Sequence, residues 1–390
     1  MRNKIFNTFL VIVSLIFSLY IIELLVFFLI TNNHFNNNLN VFKYDKRSRA
    51  EIYYEMKKEN PDITIALYPY IFLKENNQKI FPLSSFSKKK TIFCNENGYY
   101  AIYNSDRYGF NNPDDIWDKQ QIDYFIVGDS FAQGMCVNES DTFSGNIKRI
   151  TGKNVLNLGM SGNGPIRELA TLKEYMPIKK VKTVLWFYFE GNDLADIDEE
   201  MSNKILLNYF KDNTFTQDLK NKQKLIDSLL SNKLSNKLKE DYETRKVINY
   251  SYYIRFMKLY SLREFINSRI STKNSNQPNI NSIKKLKEIL KLSKDFIERE
   301  HEAKLYFIYL PTYIRYADSG KNNNDQLFLY GEVKNIIKEL NIELIDINSD
   351  VMKGSKTPLS FFPFGMSGHY SVEGYRRISE HISEITKNKF

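Results

Sequence analysis

The chain has 390 residues, 42% of them hydrophobic, enough for one sizeable core with insertions. Its net charge of +9 is local: residues 201–300 hold 21 Lys and Arg against 11 Asp and Glu, and the rest of the chain holds 34 against 35. A basic face confined to one segment argues against a general nucleic-acid binder. Four histidines and two cysteines without metal-ligand spacing argue against a protein-ligated zinc, and the absence of a P-loop or a G-x-G-x-x-G motif gives no cofactor to expect.

In chain order, residues 5–30 form a nearly unbroken apolar run, long enough to span a bilayer. Arg2 and Lys4 precede it and no Lys or Arg follows until Lys43, so the positive-inside rule places the N-terminus in the cytoplasm and the rest outside it. A cleaved signal peptide competes with this reading, but the run is long for one and no small-x-small cleavage site follows, which favours an uncleaved single-pass anchor over residues 1–31. Glu23 lies within the run, either at a helix–helix contact or near the outer interface.

Residues 32–120 are rich in Tyr and Phe and read as an N-terminal elaboration packed on the core. The two cysteines, Cys94 and Cys136, are free to pair in an oxidising compartment, with two unpaired thiols as the alternative. A bridge would tie the N-terminal segment to the neighbourhood of Ser130. From residue 121 onward, five apolar runs predict buried strands: 123–128, 154–158, 183–189, 304–310 and 342–347. Helical patterns fall between and after them at 143–150, 165–176, 283–300, 326–340 and 376–386. Strands alternating with helices predict an α/β fold with a parallel five-stranded sheet covered on both faces. Residues 200–280 interrupt the alternation as a basic, helical insertion with a tyrosine cluster at 250–253. They read as a solvated insertion, a cap over the site or a lipid-facing surface.

The chemistry-bearing residues lie at the ends of these strands. The first strand runs into Gly128-Asp129-Ser130-Phe131, a sharp turn that sets a serine at the carboxyl edge of a parallel sheet, where an α/β enzyme places a nucleophile. The second ends in a loop with Gly159, Gly162 and Gly164, whose N–H groups can approach a ligand, followed at once by a helix whose N-terminus favours negative charge. The third ends in Gly191-Asn192-Asp193, from which the Asn192 amide can donate to an oxyanion. His369 lies just before the last helix, where a neutral imidazole can take a proton from Ser130. Each of these segments alone is ordinary turn chemistry.

Taken in this order, the four segments resemble the blocks of the SGNH (GDSL-type) hydrolases. The resemblance covers about residues 105–200 and 281–390. It implies a flavodoxin-like three-layer α/β/α sandwich, Ser130 as nucleophile and oxyanion donor, Gly162 and Asn192 as further oxyanion donors, His369 as base, and no metal. The anchor and the stretch Asp106-Arg107-Tyr108-Gly109-Phe110 look like membrane-anchored bacterial members linked to surface glycans. That similarity implies removal of a small acyl group such as acetyl from a glycan, with glycan O-acyl transfer or non-catalytic glycan binding as alternatives. One position departs from the pattern. The family's Asp two or three residues before the histidine is replaced by Ser367 and Met366. The site is therefore expected to work as a Ser–His dyad or to draw on another acid, with Glu373, Asp346 and Asp350 the nearest in sequence or at the sheet edge.

Overall fold

The structure is a computed structural model and describes residues 2–35, 45–75, 78–259, 262–263, 266, 280–317 and 324–387. The chain divides into two compact units, one formed by residues 1–43 and 239–277, the other by residues 44–238 and 278–390.

The smaller unit is built around α1 (Arg2–Phe35), which holds a stretch, Phe6–Val26, long and apolar enough to cross a membrane. Its side chains are largely exposed, as at Phe9, Leu15 and Phe17. Glu23 and Val26 are buried, and the Glu23 carboxylate accepts the Leu262 N–H at 2.7 Å. Beside it, the Tyr20 hydroxyl donates to the Met257 carbonyl at 3.1 Å, and the Tyr20 and Phe256 rings pack at 5.3 Å. The ionisable group in the apolar run therefore sits at a contact between segments.

The larger unit holds a five-stranded, all-parallel sheet made of β4 (Gln121–Val127), β5 (Val155–Asn157), β6 (Lys180–Phe189), β7 (Lys304–Leu310) and β8 (Glu343–Asp346), in the order β5-β4-β6-β7-β8. Alternate residues of these strands enter opposite cores. Phe125, Val127, Val184, Trp186, Leu305 and Phe307 face one side; Tyr124, Ile126, Leu185, Phe187, Tyr306 and Ile308 face the other. Both sets are buried, which is why the strands read as continuous apolar runs. Helices α4 (Phe143–Thr151) and α12 (Val372–Lys387) pack together with the second core. Helices α5 (Pro165–Tyr175), α6 (Asp193–Ser202), α7 (Lys204–Lys211) and α9 (Ile280–Lys294) pack with the first.

The same first core takes in a small sheet of β1 (Ile63–Ile65), β2 (Lys90–Ile92) and β3 (Ile102–Asn104), together with Phe72, Phe81, Leu83 and Phe110. Residues 45–120 thus add a layer to the sandwich. The fully buried Asp106 carboxylate pins this layer by accepting from the Tyr108 and Phe110 N–H groups, the Asn112 amide and the Trp117 indole, all at 2.8–3.0 Å.

Two helices differ from the expectation by more than two residues at an end. The helix expected over 283–300 keeps α-geometry only over Ile280–Lys294 and continues as a π-turn over Asp295–Glu300. The last helix begins four residues earlier than expected, at Val372. The Ser371 side chain accepts the Gly374 N–H at 3.1 Å and its carbonyl accepts the Tyr375 N–H, so Gly374 lies inside the first turn. Within the basic segment, Leu206, Tyr209, Leu219, Ile226, Leu230 and Leu238 are buried in the first core. Several of the segment's lysines form ion pairs, Lys233 with Glu75, Lys285 with Asp198 and Lys287 with Glu339. The side chains of the tyrosine cluster at 250–253 lie outside the described residues.

Candidate active site

The order of the sheet reverses between β4 and β6, which opens a crevice at the carboxyl ends of these two strands. The chain leaves β4 through Gly128, whose φ of +153° and proximity to Phe187 leave no room for a side chain. Asp129 then caps the one-turn helix α3 (Ser130–Gln133) by accepting the Phe131 N–H at 2.8 Å. Ser130 therefore projects from the first residue of a helix anchored directly on the central strand.

His369 is carried on the loop before α12. This loop is held by the Tyr313 hydroxyl on the Gly365 carbonyl at 3.2 Å, the Tyr370 hydroxyl on the Pro311 carbonyl at 2.9 Å, and the Ser371 N–H on the Phe361 carbonyl at 2.8 Å. The imidazole packs against the Phe131 ring at 4.7 Å, and its Nε2 lies 2.9 Å from Ser130 Oγ. Ser130 and His369, 239 residues apart in sequence, are thus in direct hydrogen-bond contact.

A carboxylate does face the far side of the imidazole, and it is Glu96. Both Glu96 oxygens lie 3.0 Å from His369 Nδ1, and Oε2 also accepts the His369 backbone N–H at 2.7 Å. A carboxylate on Nδ1 selects the tautomer with its proton there and leaves Nε2 free to accept from Ser130. Burial works against the Glu96 charge, but the hydrogen bonds and attraction of His369 outweigh it and hold the carboxyl below the usual range. Of the two expectations, a bare dyad or another acid, the geometry matches the second, with Ser130, His369 and Glu96 in line. None of the acids considered from the sequence faces the imidazole. Glu373 pairs with Arg376, Asp346 with Tyr330 and Lys334, and Asp350 lies 3.6 Å from His381.

Glu96 belongs to the N-terminal layer, and two residues before it Cys94 forms a disulfide with Cys136. Asn97 adds a hydrogen bond from its amide to the Cys136 carbonyl at 3.1 Å. The sequence held a signal for this acid: Glu96 stands two residues from a cysteine whose partner stands six residues from the serine. Close approach also needs Gly368, where a Cβ would lie 2.8 Å from Glu96 Oε2. The donor atoms of Glu96, Cys136 and His369 cluster within 4.8 Å, but the Cys136 sulfur is bonded to Cys94 and offers no thiolate to a metal.

The loop carrying Gly162 is knitted to α3. The Met160 N–H donates to the Gly128 carbonyl at 3.1 Å, and the Ser161 N–H to the Gln133 side chain at 2.9 Å. Gly162 has φ +76°, and the Tyr70 ring occupies the space a Cβ would need. Among the described contacts, neither the Ser130 N–H nor the Gly162 N–H has a protein acceptor, so both remain free to donate to a ligand. Asn192 gives one amide hydrogen to Asp196 and keeps the other.

The N-terminus of α5, expected to favour negative charge at the site, is already occupied. The buried Glu200 carboxylate accepts the Gly164 and Ile166 N–H groups at 2.8 and 2.9 Å and pairs with Arg167. This helix end is therefore not available to the negative charge of a ligand.

No protein-family model and no curated protein matches the chain. Solved structures similar to it include the lipase/acylhydrolase from Enterococcus faecalis, 16% identical over 69% of this chain and 97% of that one, with a TM-score of 0.38. A member of the lipolytic protein G-D-S-L family from Veillonella parvula DSM 2008 is 10% identical over 68% of this chain and 98% of that one, at 0.36. TesA is 10% identical over 68% and 98%, also at 0.36.

Proposed function

We propose that this chain is an SGNH-type serine ester hydrolase, anchored in the membrane by residues 5–30 with its catalytic unit outside the cytoplasm. It removes a small acyl group such as acetyl from a surface or extracellular glycan. The observation that carries the reading is the 2.9 Å contact between Ser130 Oγ and His369 Nε2, backed by Glu96 on Nδ1. Ser130 Oγ attacks the acyl carbonyl while His369 takes its proton. The Glu96 carboxylate stabilises the imidazolium that forms. The N–H groups of Ser130 and Gly162 and the second Asn192 amide hydrogen receive the oxyanion. Collapse of the tetrahedral intermediate passes the proton from His369 to the leaving alcohol. Water, deprotonated by His369, then attacks the acyl-enzyme, and as the acid leaves the proton passes from His369 to Ser130 Oγ. General-base catalysis typically supplies about 10²–10⁴-fold, and each oxyanion donor about 10²–10³-fold.

Arg2 and Lys4 ahead of the apolar helix support the orientation, and the disulfide supports an oxidising compartment. The alignment of serine, imidazole and carboxylate favours catalysis over a binding role. The test is covalent labelling by a fluorophosphonate, expected on the wild type and absent from Ser130→Ala. A folded wild type that takes no label refutes the proposal. Release of free acetate from an acetylated glycan tests the substrate, and recovery of the acyl group on a sugar acceptor instead assigns transfer.

A further inference from the structure

We propose that the Cys94–Cys136 disulfide is a positioning device for the acid Glu96, so that the triad is fully assembled only when this bridge is closed. The proposal rests on the esterase reading above.

Glu96 sits at the tip of a loop whose base is closed by paired backbone bonds, Phe93 N–H to the Ala101 carbonyl and Ala101 N–H to the Cys94 carbonyl, both at 2.9 Å. The tip is folded by the Gly98 N–H on the Asn95 carbonyl at 3.0 Å. Its other ties run to residues 45–47: the Asn95 amide donates to the Asp45 carbonyl, the Asp45 N–H to the Gly98 carbonyl, and the Tyr100 hydroxyl to the Arg47 carbonyl. Those bonds fix the loop within the N-terminal layer. They do not fix it to the segment that carries the serine.

Two links to residue 136 do that, with the Tyr99 hydroxyl against the Asn138 backbone beside them. One is the disulfide, and the other is the Asn97 amide on the Cys136 carbonyl. Glu96 lies between their two attachment points on the loop. Cys136 is itself fixed, fully buried and in the left-handed conformation at φ 63°, with Gly134 and the end of α3 just before it. The bridge therefore sets the distance between the acid's loop and the helix that carries Ser130. With the bridge open, the Asn97 bond and the contact of the Tyr99 hydroxyl with the Asn138 backbone, both neutral, remain at that junction. The Glu96 side chain, one-third exposed, then meets water as a competitor for its contact with His369.

Opening the bridge consumes two electrons and two protons and yields two thiols. A phosphine supplies the electrons and leaves as the phosphine oxide, with oxygen from water. Because Cys136 is fully buried, the covalent state is also set by substitution, Cys94→Ala with Cys136→Ala.

The experiment uses the full chain in detergent micelles and measures fluorophosphonate labelling and p-nitrophenyl acetate hydrolysis across pH. Four proteins are compared: the oxidised wild type, the bridge-less double variant, Glu96→Gln, and the combination of all three substitutions. The wild type reduced with tris(2-carboxyethyl)phosphine after folding provides a second measurement. Glu96→Gln is expected to lose about 10²–10⁴-fold in kcat, the scale on which serine hydrolases depend on their acid. The bridge-less variant is expected to lose about 10-fold or more and to shift the acidic limb of its pH profile toward lower pH, as Glu96→Gln does. In the Glu96→Gln background, opening the bridge is expected to change neither. A bridge-less enzyme with the wild-type rate and pH profile overturns the proposal. So does an equal further loss in the Glu96→Gln background, which assigns the bridge to general stability. An oxidised wild type that takes no label overturns the esterase reading itself, and this proposal with it.

Discussion

Gly368→Ala isolates the role of Glu96 without removing a charge or a hydrogen-bonding group. A Cβ at this position lies 2.8 Å from Glu96 Oε2, against 3.4 Å for the near edge of an ordinary contact. Relief requires the carboxylate to retreat by about 0.6 Å, since its flexible end yields more readily than the backbone of the His369 loop. The two 3.0 Å contacts to Nδ1 then stretch to about 3.6 Å, outside hydrogen-bond range. A hydrogen bond to a charged group contributes about 1.5–3 kcal/mol, so kcat is expected to fall by about 10–100-fold. Gly368 has no left-handed backbone requirement and the clash is with a side-chain end, so stability should change by less than about 1 kcal/mol. Steady-state hydrolysis of p-nitrophenyl acetate, with urea unfolding as the control, separates the two effects. A Gly368→Ala enzyme with wild-type kcat and pH profile refutes the reasoning, because the acid would then tolerate displacement that the geometry forbids.

Three further outcomes follow from buried and part-buried groups. Asp106→Asn puts an amide against donors that now meet a carboxylate. Each donor left unpaired costs about 1–3 kcal/mol, so urea unfolding should show a loss of at least that size, and no loss would contradict the four-donor geometry. Glu200→Gln strands the buried Arg167 charge and is expected to cost about 3–5 kcal/mol in the same assay, whereas a cost below about 1 kcal/mol would mean that Arg167 finds another partner. The Glu96 carboxyl titrates below its ordinary range in the folded chain, so its contribution to stability is present above that range and is lost as pH falls through its folded value. The melting-temperature advantage of wild type over Glu96→Gln should therefore shrink on acidification from neutral pH, and an advantage that grows would reverse the sign of the argument.

The sheet was legible because parallel strands buried on both faces leave continuous apolar runs. The run read at 304–310 matches β7, and the others match their strands to within three residues at each end. Ser130 and His369 were legible because each follows a strand or precedes a helix within a short, characteristic segment. Glu96 was not. It lies on a loop of the N-terminal layer, 34 residues before the serine, in a segment with no recurring pattern of its own, and in the sequence only a cysteine pairing points from it toward the site. The role first given to the α5 N-terminus failed for a similar reason. Glu200, 36 residues beyond Gly164, folds back onto that helix end, and no local spacing announces it.

The position of Glu96 bears on where this protein can be cut. A fragment beginning at Gln121 would keep every strand of the large sheet, along with Ser130, Gly162, Asn192 and His369. Judged by those four segments alone, it would look whole. It would nevertheless lack both the acid behind the imidazole and Cys94, and would leave Cys136 with an unpaired thiol. The smallest fragment that keeps the Ser130–His369–Glu96 contacts together with the disulfide begins at or before Cys94, so the proposed site is not coextensive with the large sheet and its helices.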